Sequence, residues 1–224
     1  MEIDHCVFPD RLLYDVDNFV WADNNKNGNG SIVVGATSIL TSIAGKICTV
    51  TIKNPGAEIK KGKSIGTVES NRYFGLVRSP ITGRIIETND SILMSPKIVN
   101  NHPYTKGWFA KIKPSEYISE EIKTLETIEN CHAKIESIIK QLHVRCFAAF
   151  PDYEMFEIGV ECAATLTKLD ELLTKIQNDQ VVHLVSDDST ADLEIVRWSE
   201  EKGQSVLEIR REGNLFHFII KKVK

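Results

Sequence analysis

Apolar and polar positions change rhythm twice along the chain. From about Asp17 to Pro114 the apolar residues come in short runs broken by turn signals. "NFVWAD" and "SIVVGA" are β-prone stretches joined by "NNKNGNG", a polar cluster suited to a hairpin turn. "TSILTSIA" is long enough for one short helix, and "AGKICTVTIKNPGAEIKKGKSIGTV" reads as two strands around a Pro-Gly turn. "GTVESNRYFGLVRSPITG", residues 66–83, reads as a strand, a tight tip and a returning strand. Val68, Val77 and Ile81 are its apolar positions, with Asn71 and Gly75 near the tip. The pattern predicts a small, mostly β unit.

From Ser115 to His143 the steps lengthen to threes and fours. Ile118, Ile122, Leu125, Ile128, Ile135, Ile138, Ile139 and Leu142 form one apolar stripe with Glu and Lys between, and no Gly or Pro interrupts it. One long helix capped by Ser115 is expected. It has three uses: packing on the β unit, bridging two domains, or forming a homodimer with a copy of itself. Glu129 and His132 weaken the middle of the seam and argue against a committed coiled coil.

From Val144 to Lys224 the order is strand, helix, strand, helix, strand, strand. "YEMFEI" and "QVVHLVS" are strands. "CAATLTKLDELLTKIQN" is a helix with Leu166, Leu169, Leu172, Leu173 and Ile176 on one side. "STADLEIVRWSEEKG" is a second helix, with Ser189 and Asp192 at capping-box separation and Gly203 as its stop. "SVLEIRR" and "LFHFIIKKV" close as a hairpin around Glu212-Gly213-Asn214. Two helices on one face of a four-stranded sheet bury a core. The expected domains are 8–117, a connecting helix 118–143, and 144–224.

Composition narrows the function classes. The 224 residues carry a net charge of −4 and are 42% hydrophobic and 26% charged, so no strong pull toward nucleic acid or acidic membrane is expected. The basic runs at Lys60-Lys61-Gly62-Lys63 and Lys221-Lys222-Val223-Lys224 read as a solvated turn and a tail. No apolar stretch nears the roughly 20 residues of a membrane helix. The first residues, "MEIDHCVFPDRLLYDVD", are acidic and do not read as a secretory signal. The five cysteines, Cys6, Cys48, Cys131, Cys146 and Cys162, are odd in number and scattered. That argues against a disulfide framework and for a reducing compartment, so a cytoplasmic protein is expected.

Three segments carry a resemblance. "VGATSILTSIAGKI", "GTVESNRYFGLVRSPITGRIIETND" and "NNHPYTKGWFAKIKPSEY" resemble the H protein of the glycine cleavage system, with Asn100, Pro103, Tyr104, Gly107 and Trp108 at the family's separations. The resemblance covers residues 8–117 and implies a lipoyl-type barrel-sandwich whose hairpin tip projects into solvent. In that family the tip reads Glu-Ser-x-Lys and the lysine amine is joined to lipoic acid. Here the positions are Glu69, Ser70, Asn71 and Arg72. Lipoylation is amide formation by a neutral amine. A guanidinium stays charged below about pH 12, and its delocalised nitrogens are poor acyl acceptors. No covalent lipoate is expected, and Lys61 and Lys63 lie outside the tip, in the preceding turn. Arg72, Tyr73 and Phe74 then form either a docking surface of a cation and two aromatics or a plain hairpin whose aromatics fold back.

The last zone resembles the TusA-like sulfur carriers, over residues 153–223. "EIGVECAATLTKL" is similar to that family's strand-turn-cysteine-helix segment, with Gly159 before Cys162. "VHLVSDDSTADLEIVRWSEEKGQSVLEIRREGNLFHFIIKKV" follows the family to its final strand. The family signature is Cys-Pro-x-Pro; this chain has Cys162-Ala163-Ala164-Thr165. The resemblance implies that Cys162 accepts sulfur as a persulfide. A helix start favours thiolate over thiol, whereas Glu161 opposes it. An inert, partly buried thiol is the competing reading.

Other constellations read as structural. Asp187-Asp188 precedes a helix and reads as capping rather than as an acid/base pair. Cys131-His132 and His143-x-x-Cys146 lack the convergence of a zinc knuckle, so no metal is expected. His183 and His217 read as sheet residues. No phosphate loop and no Gly-x-Ser-x-Gly appears, which argues against an independent kinase or hydrolase. Three functions result. The first is a sulfur-trafficking carrier with its persulfide on Cys162, working with protein partners of sulfur or lipoate metabolism. The second is a non-catalytic scaffold; the third, by fold alone, is a glycine cleavage H protein.

Overall fold

Short apolar runs bounded by Gly, Pro and Asn become strands because each has one face to bury and a turn at either end. The computed structural model describes residues 1–24, 30–115 and 118–223, without the side chains of 118 and 119. The hairpin turn expected at "NNKNGNG" falls mostly on residues 25–29, outside that range. The chain divides into two units, Met1–Cys146 and Phe147–Lys224.

In the first unit β1 (Glu2–Ile3) and β2 (Cys6–Val7) form a small ribbon. They are followed by β3 (Leu13–Asp15), β4 (Val20–Asp23), β5 (Ile32–Ala36) and α1 (Ser38–Ala44). Then come β6 (Ile47–Ile52), β7 (Glu58–Ile59), β8 (Ser64–Ser70), β9 (Phe74–Arg78) and β10 (Gly83–Thr88). Two short helices, α2 (Asp90–Met94) and α3 (Lys97–Asn101), precede β11 (Trp108–Pro114). The unit ends with α4 (Ile118–Ile122), β12 (Glu126–Thr127) and α5 (Ile128–Gln141). A seven-stranded sheet runs β12-β3-β4-β5-β11-β10-β7, and a three-stranded sheet runs β6-β8-β9. Val20, Val34, Ile85, Phe109 and Ile112 of the large sheet share one core with Val50, Ile65, Val68 and Val77 of the small one.

The stretch 115–143 departs from the expected single helix. The sequence periodicity continues through it, but the chain breaks between α4 and α5 and inserts β12, which pairs Glu126 with Tyr14 and Thr127 with Leu13. The reason lies in what the apolar residues bury against. Ile122 and Leu125 pack on the first core, whereas Ile128, Cys131, Ile135 and Ile139 belong to a second, with Phe8, Leu12, Tyr14 and Trp21. One straight stripe cannot serve both. Thr124 closes the turn locally by donating its hydroxyl to the Glu121 carbonyl at 2.7 Å. Ser115 extends from β11, donating its N–H to the Thr82 carbonyl, and its hydroxyl has no hydrogen-bond partner among the described residues. The buried side of α5 is thus spent inside the first unit and is not left over for a second copy.

A second departure concerns the cysteines. Cys6 and Cys146 form a disulfide across 140 residues of sequence, so one pair exists where scatter argued against a framework. Spacing along a chain says nothing about proximity once β2 and the end of α5 are brought together around the second core. Cys48, Cys131 and Cys162 are free.

The second unit follows the expected order: β13 (Tyr153–Glu157), α6 (Cys162–Lys175), β14 (Val181–Ser186), α7 (Ala191–Lys202), β15 (Ser205–Glu212) and β16 (Leu215–Lys221). The sheet order is β13-β14-β16-β15, with β13 parallel to β14 and the other pairs antiparallel. Leu169 and Leu173 of α6 and Ile195 and Trp198 of α7 pack on Val182, Leu184, Phe218 and Ile220 of one sheet face. Gly203, in the left-handed region at φ 67°, stops α7 as its sequence position implies. The expected Ser189–Asp192 capping box is absent: the N-cap is Thr190, and Asp192 binds the N–H of Leu193. No helix among the described residues is long and apolar enough to cross a membrane.

Candidate functional site

Two places gather the residues singled out by sequence: the tip of the β8–β9 hairpin in the first unit and the start of α6 in the second. At the tip the turn closes through Ser70 N–H to the Tyr73 carbonyl at 2.8 Å. Ser70 Oγ donates to the carbonyl of Ala44, the last residue of α1, at 2.6 Å, and accepts from Arg72 N–H at 3.2 Å. The hairpin is therefore tied to the C-terminus of a helix, whose last carbonyls otherwise lack partners. Asn100 completes the tie. Buried, it accepts from Ile47 N–H at 3.0 Å and donates to the Gly45 carbonyl at 2.9 Å.

Arg72 takes part in this arrangement. Its guanidinium lies over Gly45, where an added Cβ would come within 2.7 Å of Nε, and Gly45 has φ 73°. A cation at a helix C-terminus is stabilised by the helix dipole. Tyr73 folds back: it lies across Gly75, where a Cβ would meet its ring at 2.3 Å, and packs on the first core. Burial raises its phenol pKa. Phe74 points the other way and is 66% exposed, with Leu76 exposed beyond it. The tip thus divides: Tyr73 folds back and is half-buried, Arg72 lies over Gly45 while remaining exposed, and Asn71, Glu69 and Phe74 face solvent. Lys61 is engaged elsewhere, its amine on the Glu121 carbonyl at 3.4 Å and on the Thr124 hydroxyl.

At the second place, Glu161 is the N-cap of α6 in extended conformation, without a side-chain capping bond, and Cys162 is the first helical residue. Gly159, at φ 71°, turns the chain into it. The paired aspartates close this entrance. Asp187 Oδ1 accepts from Gly159 N–H at 2.8 Å, and Asp188 Oδ2 accepts from Cys162 N–H at 2.9 Å. The other oxygen of Asp188 accepts from the N–H and the hydroxyl of Thr190, each at 2.8 Å. The expected role as caps of the following helix is met only in part: Asp188 holds Thr190, the N-cap residue of α7, and also the first N–H of α6, whereas Asp187 binds the loop before α6. The bonds to Thr190, and then the Cys162 N–H, hold the Asp188 carboxyl below the usual carboxylate range.

Cys162 is 7% exposed. The helix start favours a thiolate, and the surroundings reverse that preference. Burial, then the charges of Asp188 and Glu194, push the thiol up to about 11. Both effects favour the thiol over the thiolate at neutral pH. Thr165, one turn further along α6 and at the place of the second signature proline, is buried with its hydroxyl lacking a partner among the described residues. Sequence reading passed over it, because a Thr in a helix carries no signal until its burial is seen.

The remaining residues sort as follows. Cys131 is buried in the second core, its pKa raised to about 11 by burial and then by Glu126, while Cys146 is held in the disulfide. Among the described residues no group of three or more His, Cys, Asp and Glu is placed to hold a metal. His183 and His217 are more than sheet positions. Both are buried, and His183 Nε2 and His217 Nδ1 lie 2.9 Å apart with Phe147 stacked beside them.

Comparison with known proteins gives two family matches. The glycine cleavage H-protein family model matches residues 12–138, and the model for sulfurtransferase TusA matches residues 158–222. Glycine cleavage system H protein 2 of Aquifex aeolicus is 37% identical over 141 residues, covering 63% of this chain and 86% of that protein. Probable glycine cleavage system H protein 2 of Sulfolobus acidocaldarius is 35% identical over 144 residues, 63% of this chain and 94% of the relative. The crystal structure of a glycine cleavage system H protein from Mycobacterium marinum superposes with a TM-score of 0.50 at 23% identity. It covers 61% of this chain and all of the other, a likeness of fold.

Proposed function

From a chain that belongs to the glycine cleavage H-protein family and continues into a TusA sulfurtransferase domain, we infer a sulfur-trafficking carrier in which Cys162 holds a persulfide. The observation that carries the reading is the place of Cys162 within the TusA match: first residue of its helix, behind a left-handed glycine. In the transfer step the Cys162 thiolate attacks the outer sulfur of a donor persulfide. The donor S–S bond breaks, the donor leaves as a thiolate and takes the proton that Cys162 released, and a new S–S bond forms at Sγ. No oxidant is consumed. The H-protein-like unit serves as the docking module for protein partners. It works by contact, through Phe74 and the exposed side of the hairpin, because Arg72 takes the lysine's place and no lipoyl arm is attached.

The intact mass of the chain, purified without reductant and exposed to a persulfide donor, tests this. An added sulfur of about 32 Da, removed by dithiothreitol, mapped to the Cys162 peptide and absent in Cys162→Ser, is expected. A chain that stays unmodified overturns the carrier. The scaffold reading has a specific observation in its favour, the burial of Cys162 beside Asp188 and Glu194, which raises its pKa. It requires that Cys162→Ser leave function intact.

A further inference from the structure

The closure of the α6 entrance by Asp188 adds a control on the proposed sulfur site, and rests on that reading. A helix N-terminus offers unpaired N–H groups and the positive end of a dipole, and an anion placed there is stabilised. In this chain that place already holds an anion. The Asp188 carboxylate sits on the Cys162 N–H at 2.9 Å and is anchored from behind by the two bonds from Thr190 and by its own N–H on Ser186 Oγ at 3.2 Å.

We propose that Asp188 is the restraining residue of this site: its carboxylate occupies the anion position at the start of α6 and keeps Cys162 from serving as a nucleophile until that charge is neutralised.

The remaining charges at the entrance do not offset it. Glu161 adjoins Cys162 in sequence, Asp187 is bound to Gly159 N–H, and Glu194, from the first turn of α7, acts on Cys162 with the same sign as Asp188. The cation of α6 nearest in sequence, Lys168, is paired with Glu157 at 2.5 Å. Burial alone would leave Cys162 a weak acid; Asp188 adds to it from the one position where the helix would otherwise have helped.

The test is the rate at which neutral iodoacetamide alkylates Cys162 in the full-length chain, followed by peptide mass from pH 7 to 11 in wild type and Asp188→Asn. Asparagine removes the charge and keeps one acceptor oxygen, which serves either the Cys162 N–H or the Thr190 donors, since these bind different oxygens of the carboxylate. The expected result is a rate at pH 8 about threefold higher or more, the thiolate gain from a half-unit fall in pKa, in a variant that still melts cooperatively. Asp188→Ser, another neutral capping residue, is expected to act in the same direction and serves if the amide variant is poorly folded. Rates equal to or below wild type in the folded variants would reduce Asp188 to a cap and overturn the proposal. Sulfur uptake is read separately. A variant that alkylates faster yet takes up no sulfur supports the restraint and overturns the carriage.

Discussion

Cys162 and Arg72 are the two residues on which the proposed function turns, and each differs from what its family position suggests. A thiol at about 11 is deprotonated only slightly at neutral pH, so alkylation of Cys162 is expected to keep rising well beyond pH 9 and to level off near 11, in a peptide-resolved pH profile. The sign for stability follows. The folded state binds this proton more tightly than the unfolded chain, so its contribution is complete below the ordinary thiol pKa and fades as pH rises through about 11. Arg72 gives a cleaner contrast. Arg72→Lys restores Glu-Ser-x-Lys at a hairpin already tied to α1 through Ser70. Incubated with a lipoate ligase and lipoate, that variant is expected to gain a lipoyl mass on residue 72, while wild type gains none. Lipoylated wild type would sink the docking-only view of the first unit.

At the scale of elements, the periodic stretch 118–142 shows what sequence conveys and what it withholds. The i, i+3, i+4 recurrence of Ile and Leu marks the helical residues of α4 and α5, yet it runs through the break at Leu125 to Thr127 and cannot say that Leu125 and Ile128 face different cores. That division is a property of the sheet wedged between them. Strands were legible where polar turns bound them, as in β4, β5 and the whole second unit. The seating of Arg72 over Gly45 and of Tyr73 over Gly75 was not, because Gly45 is remote in sequence from the tip and Gly75 makes room for the ring only in three dimensions. The position of Cys162 was legible and its protonation was not, since burial and the reach of Asp188 come from the fold. If α5 is core rather than connector, Ile135→Ala is expected to cost the first unit about 2–5 kcal/mol in urea unfolding, as for other buried aliphatic truncations. Asn100→Ala, which removes two buried bonds at the α1 end, is expected to cost about 1–3 kcal/mol in the same measurement.

For the whole molecule, the Cys6–Cys146 bridge joins the first strands to the last residue of the first unit. Long loops closed this way lose denatured-state freedom, and a stabilisation of about 2–4 kcal/mol is typical. The bridge also decides how tension travels. Force applied between residue 1 and the second unit runs through a few residues of ribbon, crosses the sulfurs at Cys6 and Cys146, and leaves unloaded the 139 residues enclosed between the two cysteines. Both sheets, the hairpin and Arg72 hang in a slack covalent ring. In single-molecule stretching the first unit is expected to stay folded or silent until a thiol reductant opens the ring, which then releases on the order of 500 Å of contour. A chain built this way has one module that can be pulled on and one that only chemistry can unlock.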